Sequence, residues 1–311
     1  MNRFSEETPH GWLAFELSVL RRLRFRTFAN PLAGEPDLDL YLKRWGARVA
    51  ANDPAQWAWV RGLARVENNS ARLTEDDLAA LLEDVYVPGH ALRNNALARW
   101  FGETDAWWFD NYRAGVERLE GETRQALALD LGMMVGDYAL SFDSDTRELR
   151  QPLSRALRRI HDTLPAPVNN NQVNVSRNTD ARTFVAEQHG DLLFLRLPSP
   201  SEPRTRRDSL AAWREEFVRN GSDFWPDYDA AQSGRLGARA QTRQQYLRFV
   251  EDLLERARHF KLWAVSFAET GHFTTQELVE LLRRLRKVET IYTKDFSELA
   301  GARAAIITAS V

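Results

Sequence analysis

Twice along this chain, segments with apolar residues at helical spacing alternate with short runs of β-forming residues, and between the two regions lies a stretch without any strand pattern. In the first region Leu13, Leu17 and Leu20 recur at helical spacing, and Phe25 to Phe28 leads into the turn Asn30-Pro31-Leu32-Ala33-Gly34. A second helical pattern runs through Leu38, Tyr41 and Leu42, and Arg48-Val49-Ala50-Ala51 reads as a second strand that ends at Asn52-Asp53-Pro54. Parallel strands cannot be joined by a tight turn; they need a crossover, usually a helix. Strict alternation of helix and strand therefore predicts βαβ units and a mostly parallel sheet.

Residues 70 to 164 have a different character. Thr74-Glu75-Asp76-Asp77 opens a helix as an N-terminal cap does, and Leu78, Leu81 and Leu82 give that helix an apolar face. Farther on come Trp100, Phe101, Trp107, Trp108, Phe109 and Tyr112, an aromatic cluster suited to packing an insert core. We read residues 70 to 164 as a helical insert dividing an α/β domain made of residues 1 to 69 and 165 to 311. The alternation resumes after Pro167, with a strand at Gln172 to Val175, a helix at Asp180 to Gln188 and a buried strand at Asp191 to Leu195. Helices follow near Ser209 to Arg219, Gln241 to His259 and Thr274 to Arg286, and strands at Leu262 to Phe267, Val288 to Tyr292 and Ala304 to Ala309. Pro198, Pro200 and Pro203 interrupt the chain after the buried strand and predict a loop there.

Composition removes several function classes. The 311 residues contain no cysteine, which excludes disulfides and thiolate metal sites, and the six histidines have no paired spacing, so no metal is expected. Met1 to His10 is polar and acidic and does not read as a signal peptide. No apolar run approaches the roughly 18 residues needed to cross a bilayer, and a cytoplasmic protein with no membrane partner is expected. The formal charge of −2 excludes a globally basic nucleic-acid binder but leaves room for a basic face. Two arginine-rich patches, Arg21-Arg22-Leu23-Arg24-Phe25-Arg26 and Arg204-Thr205-Arg206-Arg207, read either as phosphate contacts or as ordinary solvated surface.

The run Phe28-Ala29-Asn30-Pro31-Leu32-Ala33-Gly34-Glu35-Pro36, followed by a helix, a strand and Ala51-Asn52-Asp53, resembles the opening of S-adenosylmethionine-dependent DNA adenine methyltransferases whose cofactor motif precedes the catalytic one. The resemblance extends in order through Asp180-Ala181, Phe194-Leu195-Arg196-Leu197-Pro198-Ser199 and Trp263-Ala264-Val265-Ser266-Phe267. It implies a Rossmann-like sheet with an antiparallel strand near the carboxyl end, and a target-recognition role for the insert. It also implies a cofactor crevice formed by Asn30, Gly34, Asp53 and Asp180, in which Asp53 would hold the ribose hydroxyls. Arg196, Leu197, Pro198 and Ser199 then stand at the catalytic motif, and Arg204, Arg206 and Arg207 are the candidate DNA contacts beside it.

The departures from the family pattern carry the functional expectation. Where the family usually has a second turn glycine the chain has Pro36, whose ring fixes φ and removes an amide donor. Asn30 stands at the acidic position that would pair with the cofactor's amino group. Methylating an exocyclic amine needs hydrogen-bond acceptors for its hydrogens and an aromatic ring to stack the flipped base. Arg196 offers five donors and no acceptor, and Ser199 offers no ring, so of the catalytic motif only Pro198 keeps its type. The implied protein is a catalytically degenerate methyltransferase-like chain, acting as a DNA-binding or protein-partner module and carrying no cofactor. The alternatives are an active adenine methyltransferase with a rearranged site, using S-adenosylmethionine if the crevice is open, or a binder of another nucleotide there. Arg196 should hold a carboxylate such as Asp53 or Asp180, offer its fork to an anionic ligand, or turn out to solvent.

Overall fold

The computed structural model describes residues 11–143, 145–198, 209–238, 240–269, 273–297 and 302–311. In the first region α1 (Trp12–Leu20), β1 (Thr27–Asn30), α2 (Asp37–Arg44), β2 (Arg48–Asn52) and α3 (Gln56–Gly62) alternate, and a single π-helical turn, Leu63–Glu67, follows. Five helices come next: α4 (Glu75–Leu82), α5 (Leu97–Trp100), α6 (Glu103–Glu117), α7 (Glu122–Leu140) and α8 (Leu153–Thr163). The second region holds β3 (Val175–Arg177), α9 (Ala181–Glu187), β4 (Leu192–Arg196), α10 (Leu210–Val218), α11 (Trp225–Gln232) and α12 (Arg243–Arg256). It closes with β5 (Leu262–Glu269), α13 (Thr275–Leu285), β6 (Lys287–Phe296) and β7 (Ala302–Ser310).

Seven strands form one sheet in the order β3-β2-β1-β4-β5-β7-β6. The first five are parallel, with Phe28 opposite both Val49 and Leu192, and β7 runs antiparallel between β5 and β6. This is a Rossmann-like methyltransferase arrangement, with one reversed strand near the carboxyl end. The chain winds outward from β1 through β2 to β3, then returns to the other side of β1 to lay down β4. The carboxyl ends of β1 and β4 therefore flank the switch point where open α/β sheets hold ligands.

Both faces of the sheet are covered, as helical crossovers require, so the inner strands are apolar at nearly every position. Phe28, Val49, Leu192, Phe194 and Ile306 pack against Trp12, Phe15 and Val19 of α1 and Leu38 and Leu42 of α2. On the other face Leu193, Leu195, Val265 and Ile307 meet Phe184 of α9, Val250 and Leu254 of α12, and Leu278 of α13. Helix starts follow local chemistry: the Thr74 and Thr274 hydroxyls accept the backbone N–H of Asp77 and Glu277, whose carboxylates accept the threonine N–H in return.

A third core joins helices α4 to α8 to the rest of the molecule. Trp108, Phe109, Tyr112 and Met133 pack with Trp57 and Val60 of α3 and with Trp213 and Phe217 of α10. Trp108 is fully buried, whereas Trp100 and Trp107 are half-buried, and the Trp100 indole N–H donates to Glu216 at 2.6 Å. The aromatic cluster is packing rather than a stacking platform.

Two expectations are corrected. The strand at Gln172 to Val175 forms instead at Val175–Arg177, because Asn side chains occupy the preceding edge. Asn174 accepts the Val49 N–H at 3.0 Å and donates to Asn170, which donates to the Ala47 carbonyl at 2.8 Å. Local side-chain bonds of this kind replace a ladder. Helix α11 was not expected; Pro226 sits in its first turn, where a missing N–H costs nothing.

Candidate functional site

The cofactor crevice is expected at the turns that follow β1, β2 and β3, and Asn52 laces these turns together. Its side-chain amide donates to the Pro31 carbonyl at 3.0 Å and the Thr179 carbonyl at 3.1 Å, and its oxygen accepts from the Thr179 N–H and hydroxyl. Beside it Asp53 is 1 % exposed. One Asp53 carboxylate oxygen accepts the Gly34 N–H at 2.7 Å and the other the Ala55 N–H at 2.9 Å. Gly34 has φ +58°, a left-handed conformation that carries a Cβ penalty for other residues, and this brings its N–H onto the carboxylate. Pro36 stands at the N-cap of α2, and its carbonyl accepts the first helical bond, from Leu40.

Asp53 does not cap the helix that follows it: it closes an Asx turn onto Ala55, and the free amides of α3, Gln56 and Trp57, donate to Glu215 of α10 at 3.0 and 2.9 Å. Asp180 is the N-cap of α9, accepting the Arg182 and Thr183 N–H groups, and is also paired with Arg235 at 2.7 Å. Asn30 donates to Asp39 of α2 at 3.2 and 3.3 Å, and its own oxygen is buried without a hydrogen-bond partner. Asp39 is fully enclosed, and burial pushes its carboxyl up to about 7 despite the Asn30 bond and the nearby Arg196.

Arg196 holds neither Asp53 nor Asp180. Its guanidinium grips Glu16 of α1 through two bonds, Nε to Oε1 at 2.9 Å and a terminal nitrogen to Oε2 at 2.5 Å. Side-chain alternation explains the correction, since Arg196 shares the face of β4 that carries Leu192 and Phe194, and α1 covers that face. Asp180 starts a helix on the other face, and Asp53 ends a strand two positions away in the sheet. Glu16 also accepts the Trp12 indole N–H at 2.9 Å and the Ser266 hydroxyl at 2.8 Å. Burial opposes the charge on Arg196, but Glu16 outweighs it and holds the guanidinium more firmly protonated than usual. Leu197 is buried, the Pro198 carbonyl accepts the Tyr246 hydroxyl at 2.7 Å, and Ser199, Arg204, Arg206 and Arg207 lie outside the described residues.

A second polar network crosses the glycine turn. Glu35 accepts from Arg61 of α3 at 2.5 Å and from Arg214 of α10 at 2.6 Å. Both arginines continue to Asp137 of α7, Arg61 also meets Asp130 at 3.2 Å, and Arg65 meets Asp130 at 2.7 Å. Three guanidiniums thus balance three carboxylates. Burial alone would raise the Glu35 carboxyl, but Arg61 and Arg214 overcome it and lower the carboxyl to about 2. The turn that follows β1 is in this way fastened to α3, α7 and α10.

Glu16, Asp39, Asn52, Arg61, Arg214 and Glu215 were not singled out from the sequence. Glu16 carried a signal, as a charge on the same helical face as Trp12, Phe15 and Val19. Among the described residues, Glu75, His161 and Asp162 bring potential metal donors within 4.8 Å of one another, on α4 and α8, with Glu75 and Asp162 exposed. No described helix is long and apolar enough to cross a membrane.

No family model matches the chain. The Type II methyltransferase M2.HphI of Haemophilus parahaemolyticus is 22 % identical over 326 residues, spanning 96 % of this chain and 91 % of that protein. Sheet order, the reversed seventh strand and this full-length similarity agree: the chain has a Rossmann-like methyltransferase fold and is similar, distantly, to a Type II methyltransferase.

Proposed function

We propose that this chain is a methyltransferase-like protein that does not transfer methyl groups and serves as a DNA-binding or protein-partner module. The observation that carries the reading is Asp53. A ribose would need its carboxylate as acceptor, yet both oxygens already accept backbone amides and the residue is 1 % exposed. The residues of the crevice, as arranged, do not fit S-adenosylmethionine. Asn30 is turned to Asp39, Asp180 is a helix cap, and Glu35 is tied across the turn by two arginines. The catalytic position points the same way. Arg196 has no acceptor to offer an adenine amine, and its fork is closed on Glu16.

Calorimetric titration of the full chain with S-adenosylmethionine, and with its demethylated product, tests the reading. The expected result is no saturable heat up to millimolar ligand, together with no methyl transfer to adenine-containing DNA. A dissociation constant in the low micromolar range, about −8 kcal/mol, overturns it.

A further inference from the structure

The amino-terminal ends of β1 and β2 lie at the opposite end of the sheet from the crevice, and a groove of about 840 Å³ opens there. Leu20, Leu23, Phe25 and Ala47 give it apolar surface, and Trp45, Arg21, Arg26 and Arg48 line it as well. Arg22, Arg24 and Arg44 belong to the same two segments, the α1–β1 connection and the end of α2. All six arginines are exposed, and none has a carboxylate partner among the described residues.

Several exposed arginines elsewhere are matched, as in Arg158 with Glu75, Arg256 with Asp252 and Arg284 with Glu251. Those without a carboxylate among the described residues, such as Arg72, Arg177, Arg248 and Arg283, are spread over separate elements, whereas these six fall on two adjoining segments. Three of these guanidiniums rest on aromatic faces instead: Arg21 over Trp45 at 5.0 Å, Arg44 over Tyr41 at 5.4 Å and Arg22 over Tyr292 at 5.5 Å. Trp45 and Tyr41 are themselves 37 % and 40 % exposed. Among the described residues, three unneutralised cations line the groove and three more stand on the segments that flank it; like charges so gathered repel one another, and a ligand with regularly spaced negative charge removes that repulsion.

We infer that this groove binds single-stranded nucleic acid, with backbone phosphates on the arginines and an unpaired base against Trp45. Guanidiniums interleaved with solvent-facing rings match what such a strand presents, since every base has a stackable face and every linkage a charge. A duplex hides its base faces, so Trp45 would gain nothing from one. A membrane surface calls for a projecting apolar face, and here the apolar residues line a recess. The inference is independent of the crevice, because nothing in it depends on cofactor binding or methyl transfer.

Fluorescence anisotropy of the full chain with a labelled oligothymidylate of about 15 nucleotides tests it, a length within the site sizes known for such grooves. If all six guanidiniums engage, the logarithm of the binding constant should fall against log salt with a slope of about −4. Arg21→Gln with Arg26→Gln should bring the slope to about −3, roughly one 0.7 increment per lost contact. Trp45→Ala should weaken binding about tenfold at unchanged slope, the stacking share alone. Arg256→Gln with Arg258→Gln, on α12 and the turn after it, should leave both quantities as they are. Circular dichroism checks that each variant is folded. The inference is overturned if the native chain does not bind the oligonucleotide at low salt. It is equally overturned if a duplex binds as tightly and ignores Trp45→Ala, or if phosphatidylserine vesicles capture the chain while the oligonucleotide does not.

Discussion

Replacing Arg196 by leucine should destabilise the fold by about 3 kcal/mol. Breaking a buried ion pair by removing one partner costs about 3 to 5 kcal/mol, because it strands the other charge. Here the Glu16 side chain is 0 % exposed and that of Arg196 26 %, so solvent softens the loss and the lower end of that range applies. Glu16 would keep only the Trp12 and Ser266 donors. Glu16→Leu should cost less, about 2 kcal/mol, since the freed guanidinium can swing toward water while Trp12 and Ser266 lose an acceptor. The double replacement should also cost about 2 kcal/mol, well below the sum of the single changes, because neither variant charge is then left alone. Arg196→Asp, which returns an acceptor to the catalytic position, should be the worst of the series, because it sets a second carboxylate against Glu16. Equilibrium urea unfolding, followed by tryptophan fluorescence, gives each value and their coupling. If the two single costs add to within about 0.5 kcal/mol of the double, the guanidinium does not act on Glu16 and the account of position 196 is refuted.

Two further changes probe the crevice and the insert. The Asp39 carboxyl is raised from 3.8 to about 7 in the folded chain, so its destabilising charge is absent below pH 4, grows through pH 4 to 7, and reaches on the order of 4 kcal/mol above that. Asp39→Asn should therefore unfold at higher urea than the native chain at pH 8 and at equal urea near pH 4; parallel curves across that window would contradict the assignment. A Cβ added at Gly136 of α7 would run into the Trp213 ring, so Gly136→Ala should lower stability by about 1 to 3 kcal/mol, and an unchanged melting temperature would contradict the close packing.

The sheet was legible because its causes are local. Helical spacing at Leu13, Leu17 and Leu20, apolar runs such as Leu192 to Leu195, and the threonine caps at Thr74 and Thr274 each act within a few residues. The site was not, because its contacts span the chain. Arg196 meets Glu16 across 180 positions, Arg214 meets Glu35 across 179, and Gln56 meets Glu215 across 159. Spacing rules describe one helix or one strand and say nothing about which carboxylate a distant guanidinium will reach. Even Asp53, correctly placed at the end of β2, gave no sign that the Gly34 and Ala55 amides would occupy both its oxygens.

The core shared by Trp57, Trp108, Tyr112, Trp213 and Phe217 bears on how this molecule comes apart. Helices α3 and α10 belong to the crossovers of the sheet, yet their indoles are packed among the rings of α6. Neither part can open without baring aromatic surface on the other. Helices α4 to α8 and the sheet should therefore melt in a single transition, with matching hydrogen-exchange protection on both sides of the seam. Excising those helices would leave a sheet prone to self-association, rather than a smaller soluble protein.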